Sequence, residues 1–132
     1  MVQNSIILAS GEILLRKFLR MIIQETPEYV ISEADDYREL RRSLREATPD
    51  AVVLDVCAPS LTDLDVVEEI KKKHPQVKII ILTKLQIPDH FCRAIGMGVE
   101  AYVLKKDIGK IDYIINSVLQ GGTYISSHNS TK

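Results

Sequence analysis

The chain has 132 residues, the size of one compact domain with a sizeable buried core. Its 17 Lys and Arg oppose 18 Asp and Glu, a formal charge of −1, so no basic excess exists to neutralise phosphates and direct nucleic-acid binding by these residues is disfavoured. Apolar residues at 45% and charged residues at 27% exclude disorder, collagen-like repeats and a coiled coil, and no apolar run reaches the ~20 residues that span a bilayer.

Along the chain, five short apolar runs rich in β-branched residues predict strands: Ser5 to Leu8, Tyr29 to Ser32, Ala51 to Val56, Val77 to Leu82 and Ala101 to Leu104. Helical spacing fills the gaps between them. The first helix is expected to bury Leu14, Leu15, Phe18, Leu19, Ile22 and Ile23, and the second Tyr37, Leu40, Leu44 and Ala47. The third carries Leu64, Val67 and Ile70, the fourth Phe91, Ala94 and Ile95, and the fifth Ile111, Ile114, Ile115, Val118 and Leu119. Pro27, Pro49 and Pro75 each fall where a helix has to end before the next strand. Lys71, Lys72, Lys73 and His74 read as a solvated helix terminus favoured by the dipole. His90 and His128 have no companions at ligand spacing. Cys57 and Cys92 form no metal pattern and are expected to be free, packed as small apolar groups. The opening Met1-Val-Gln-Asn4 has no basic stretch ahead of an apolar run, so the expected location is cytoplasmic.

Fivefold alternation of strand and helix predicts an α/β fold, a parallel sheet with helices on both faces. The third and fourth strands are almost continuously apolar and are expected at its centre. Ligands of such sheets sit beyond the carboxyl ends of the strands. Those ends carry Ser10, Gly11 and Glu12 after the first strand, Asp55 in the third, Thr83 after the fourth and Lys105 after the fifth. A carboxylate, a hydroxyl and an ammonium therefore converge.

The segments Asp50-Ala-Val-Val-Leu-Asp55-Val-Cys-Ala-Pro59, Ile79-Ile-Ile-Leu-Thr83 and Ala101-Tyr-Val-Leu-Lys105 resemble the receiver domain of bacterial two-component response regulators. The ending Val118-Leu-Gln-Gly-Gly-Thr-Tyr-Ile-Ser126 is similar to receivers of LuxR/NarL-type transcription regulators. The resemblance implies a flavodoxin-like, five-stranded parallel sheet of order 2-1-3-4-5 flanked by five helices, over residues 1–125, with 126–132 as a polar tail or the start of a linker to an output domain. It implies Asp55 as phosphoryl acceptor, Lys105 and Thr83 at the phosphoryl group, Thr83 and Tyr102 as switch residues, and Pro59 shaping the acceptor loop. Mg²⁺ would be held by Asp55 and the main-chain carbonyl of Cys57. A sensor histidine kinase would be the donor, two receivers would dimerise through helix faces, and DNA would be met only through an output domain, with no membrane contact.

The chain departs from that pattern at the metal. Ser10 and Gly11 stand where the resemblance places two adjacent acids, and Mg²⁺ usually requires at least one or two carboxylates. Without them Asp55 is free to pair with Lys105. A second departure is Asp63, at a position where the resemblance places glycine, so the loop after Pro59 is expected to turn differently. The leading expectation is a receiver-type signalling module, not an enzyme, whose Mg²⁺-dependent phosphorylation is atypical or lost. One alternative keeps phosphorylation of Asp55, with Glu12 and Ser10 improvising the metal shell; another is a stand-alone interaction module. A flavin site lacks its phosphate loop after the first strand. A cysteine phosphatase lacks its Arg, because Asp63 and Gly98 stand six positions after Cys57 and Cys92. An acidic neighbourhood argues against a reactive Cys57 thiol.

Overall fold

A computed structural model describes residues 3–56 and 60–127. Its element order is β1 (Asn4–Ala9), α1 (Ile13–Ile23), β2 (Tyr29–Ala34), α2 (Tyr37–Glu46), β3 (Ala51–Val56), α3 (Leu61–Lys73), β4 (Lys78–Thr83), α4 (Pro88–Gly96), β5 (Ala101–Leu104), a 3-10 turn (Lys105–Lys110), α5 (Ile111–Leu119) and β6 (Tyr124–Ile125). The strands form one sheet of order β2-β1-β3-β4-β5-β6, and every neighbouring pair runs parallel. The α/β architecture, the five helices and the order of the first five strands agree with the sequence reading. The count of five strands does not. Tyr124 and Ile125 add a sixth, paired with Ala101 and Tyr102. Two residues are too short to show a period of two, so only the hydrogen bonds to the open edge of β5 reveal this strand.

All six residues of β3 and the last five of β4 are buried, as befits strands covered on both faces. One core lies against α2, α3 and α4, around Leu40, Leu44, Leu54, Val67, Ile70, Ile79 and Ile81. The other lies against α1 and α5, around Leu8, Leu19, Ile23, Val53, Ile80, Ile111, Ile114 and Ile115.

Local chemistry fixes the helix starts near the strand ends. The Asp36 carboxylate accepts the Glu39 N–H at 2.7 Å and caps α2. In α3, Ser60 and Asp63 form a reciprocal capping box, with the Ser60 N–H donating to the Asp63 carboxylate at 2.9 Å. Asp63 is thus a buried helix-start residue, which accounts for a carboxylate in place of glycine.

Three expectations about packing are corrected. In α1 only Leu19 and Ile23 are buried, whereas Leu14 is 80% exposed and Phe18 39%. Arg16 and Arg20, one turn apart, both pair with Glu33 of β2 at 2.9 and 2.7 Å, and that lateral tether fits a helix rolled so that Leu14 and Phe18 face outward. Ala47 is the exposed C-cap of α2, because the helix ends at Glu46. Cys92 is an exposed free thiol on α4, the buried positions of that helix being His90 and Ala94. Cys57, Pro59 and His128 lie outside the described residues.

Candidate functional site

Asp55 is the fifth residue of β3, and its side chain is 1% exposed. A carboxylate so far from water has to be compensated by its neighbours. Lys105, the first residue after β5, brings its ammonium to 2.8 Å from Oδ1. Ser10, the first residue after β1, donates its hydroxyl to Oδ2 at 2.6 Å. The same Ser10 oxygen accepts the Glu12 N–H at 3.0 Å, so it also organises the turn into α1. Arg16 donates to the Ser10 carbonyl while Glu33 holds its Nε, which fixes the main chain at this position. Both Asp55 oxygens are therefore engaged, one by charge and one by a short hydrogen bond to an anion.

A cavity of about 220 Å³ opens beside Asp55, lined by Ala9, Ser10, Gly11, Asp35, Asp36, Tyr37 and Asp55. Glu12 is exposed at the N-cap of α1 and is not among the lining residues. Among the described residues, no group of three His, Cys, Asp or Glu side chains could hold a metal ion. Ser10, Gly11 and the engaged Asp55 carboxylate do not fit Mg²⁺, which demands close octahedral oxygens and sheds water reluctantly. The proposed carbonyl ligand of Cys57 lies outside the described residues.

Thr83 ends β4 fully buried, and its hydroxyl donates to the Leu85 carbonyl at 3.1 Å. In the sheet Thr83 pairs with Val56 of β3 and Leu104 of β5, and its hydroxyl is committed to the loop before α4. Tyr102, in the middle of β5, is also fully buried, and its phenol meets His90 Nδ1 of α4 at 2.9 Å. Phe91 packs edge-on against the Tyr102 ring, with centroids 5.0 Å apart. Burial, with a smaller contribution from the Asp63 carboxylate, pushes the Tyr102 phenol up to about 12. Burial lowers the His90 pKa against the opposing pull of Asp63 and Asp89, and its Nε2 has no hydrogen-bond partner among the described residues. The sequence-predicted residues thus divide into two clusters: Ser10, Asp55 and Lys105 in one, Tyr102 in the other.

Sequence reasoning missed His90, Asp35, Asp36, Tyr37 and Ser126. Asp36 carried a readable signal, a capping residue ahead of an amphipathic run. His90 carried none, because its partner is twelve residues away on another element.

The family model described as response regulator receiver domain matches residues 6–116. The chain is 28% identical over 103 residues to the transcriptional regulatory protein YdfI of Bacillus subtilis, covering 77% of this chain and 48% of that protein. It is 30% identical over 91 residues to the chemotaxis protein CheY of Thermotoga maritima, covering 69% and 76%. Among solved structures, a DNA-binding response regulator of the LuxR family from Staphylococcus aureus superposes with a TM-score of 0.77 at 33% identity, covering 88% of this chain and 98% of that one. The isolated receiver of RcsB from Salmonella enterica serovar Typhimurium, solved with a phosphomimetic beryllofluoride, has a TM-score of 0.83 at 18% identity, covering 95% and 94%, and shares the fold. The chain spans about half the length of several curated regulators it matches, 48% of YdfI and 56% of DegU from Brevibacillus brevis.

Proposed function

Because the chain belongs to the response regulator receiver family, we propose that it is the regulatory module of a DNA-binding transcription regulator whose acceptor site rests closed and whose Mg²⁺-dependent phosphorylation is lost. The observation that carries this reading is the engagement of both Asp55 oxygens, by Lys105 at 2.8 Å and by Ser10 at 2.6 Å, where relatives of the family bind Mg²⁺. A carboxylate attacks an anionic phosphoryl donor only where cationic groups neutralise the developing charge. Here one cation, Lys105, is already spent on the nucleophile itself.

In this reading Asp55 corresponds to the acceptor, Lys105 to the phosphoryl-oxygen ligand, and Thr83 and Tyr102 to the switch pair. Residues 1–125 form the receiver, and residues 126–132 lead toward an output domain that alone meets DNA, in the cytoplasm. Input arrives through association rather than through a sensor histidine kinase. The supporting surface is α1, where Leu14 is 80% exposed and Met21 56%, with Phe18 between them. These residues recur at helical spacing on one side of α1, and a second copy of the chain packing through α1 and α5 would cover them.

Incubation with Mg²⁺ and acetyl phosphate followed by intact-mass analysis tests the site. The expected result is no phosphoryl adduct on the wild-type chain and a new one on the Ser10→Asp/Gly11→Asp double variant. A Cβ at position 11 would meet the Asp35 carbonyl oxygen at an ordinary 3.6 Å, so a side chain can start there without a clash. A prompt wild-type adduct that vanishes in Asp55→Asn would overturn the reading in favour of a phosphorylatable receiver.

A further inference from the structure

Away from the acceptor site, polar groups from four elements come together. The Tyr37 hydroxyl of α2 bonds the Asp63 carboxylate of α3, and His90 Nδ1 of α4 lies 2.9 Å from the Tyr102 hydroxyl of β5. The Asp63 charge is felt at both His90 and Tyr102. Among these elements α4 is the one with the weakest start, since it is nine residues long, begins at Pro88 without a side-chain cap, and buries His90 and Ala94. Of its side-chain hydrogen bonds, Arg93 to Asp89 stays within the helix, whereas His90 to Tyr102 crosses to the sheet. His90 is 5% exposed, and its Nε2 has no hydrogen-bond partner among the described residues.

This geometry suits a neutral imidazole and penalises an imidazolium. In either neutral tautomer one ring nitrogen meets the Tyr102 hydroxyl and the other is unmet. An added proton makes both nitrogens donors. Nδ1–H then has the Tyr102 oxygen as acceptor, while Nε2–H has none among the described residues, on a cation shut away from water. The carboxylates that act on the ring are Asp63 from α3 and Asp89 from α4 itself, and both are engaged elsewhere. Asp63 accepts the Tyr37 hydroxyl on one oxygen and the Ser60 N–H and hydroxyl on the other, at 2.9 and 3.0 Å. Asp89 is bonded to Arg93 at the surface, at 3.1 Å. From β5 the titratable group facing His90 is Tyr102, whose phenol, pushed up to about 12, stays neutral throughout the range in which a histidine titrates.

We propose that the His90–Tyr102 contact is an acid-sensitive latch, in which uptake of one proton by His90 releases α4 from β5. Release lets the imidazolium reach water. A nine-residue helix without a side-chain cap does not hold together alone in water, so release shows as unwinding of α4. The closed state binds the proton more weakly than the open one, and acid therefore favours opening. The latch sits in a different cluster from Asp55 and stands whether or not Asp55 accepts a phosphoryl group.

The test compares amide hydrogen exchange of the full chain at about pH 7.5 and about pH 5.5, corrected for intrinsic rates, a window in which ordinary carboxylates stay ionised. The wild-type chain is expected to lose about three- to tenfold in protection at the amides from Phe91 to Ala94, tenfold being the ceiling for one proton that titrates near 6.5 in the open state. Ile114 and Ile115 of α5 are expected to change by less than about twofold. His90→Gln and His90→Phe, neither of which titrates in this window, are each expected to hold the α4 change below about twofold. The His90 ring protons, assigned by nuclear magnetic resonance against His74→Gln and His128→Gln, are expected to titrate with the same midpoint as the loss of α4 protection. A wild-type α4 that keeps its protection at the lower pH would overturn the latch, as would equal losses in α4 and α5. An acid response that persists in both His90 variants, or a midpoint that departs from the His90 titration, assigns the proton to another group and overturns it as well.

Discussion

Asp55 on β3 and Tyr102 on β5 stand on either side of β4, and each buries a polar side chain almost completely, at 1% and 0% exposure. At Asp55 the buried group is charged and is met, among the described residues, by Ser10 and Lys105 from two other strand ends. At Tyr102 the group is neutral and is met by one side chain, His90, which leaves one of its own nitrogens without a partner among the described residues. A buried charge demands compensation from several directions, whereas a buried phenol is satisfied by a single hydrogen bond. The two clusters consequently differ in what breaking them exposes, an uncompensated ion in one and an orphaned dipole in the other.

The comparison is broken hardest at Lys105. Lys105→Ala removes the cation that meets the buried Asp55 carboxylate, and urea denaturation is expected to show a loss of about 3 kcal/mol, the low end for a severed buried pair. A loss below about 1 kcal/mol would mean that Asp55 reaches water. Asp55→Asn is milder, since Lys105 is 17% exposed and can turn its ammonium outward.

Tyr102→Phe comes next, at about 1–2 kcal/mol, because it strands a second nitrogen of His90. Combining it with His90→Phe is expected to recover much of that loss, since both polar groups are then gone. A double-mutant cycle measures the coupling, expected at about 1 kcal/mol, and a value near zero would show that the 2.9 Å contact contributes nothing.

Ser10→Ala removes the hydroxyl from Asp55 and from the Glu12 N–H, at an expected cost of about 1 kcal/mol, while the ion pair persists. The titration effect is the smallest. Burial holds the His90 pKa below 6.5, so between its folded and unfolded values the unfolded chain binds more protons. That contribution to stability is present above about pH 6.5 and is lost as pH falls through the folded value. The melting temperature should drop on acidification through this window, and His90→Phe should flatten the drop.

The strand-end residues were legible because a parallel α/β sheet puts its chemistry at one edge, so Asp55, Thr83 and Lys105 followed from spacing alone. Ser10 was legible as a missing acid, but its hydrogen bond to Asp55 was not, since that depends on the rotamer of a side chain 45 residues away. Leu14 and Phe18 illustrate the opposite failure: periodicity placed them on the buried stripe, and the tether of Arg16 and Arg20 to Glu33 accompanies a helix rolled away from that choice.

By itself the sequence determined the alternation of elements, the central place of β3 and β4 and the absence of an acidic pair at residues 10 and 11, because these depend on residue type and period. Only the tertiary structure decided that Ser10 and Lys105 close on Asp55, that His90 meets Tyr102, and that Ser126 is buried just after a sixth strand. Those outcomes depend on angstrom-scale contacts between elements distant in the chain, and local sequence pattern carries no record of them.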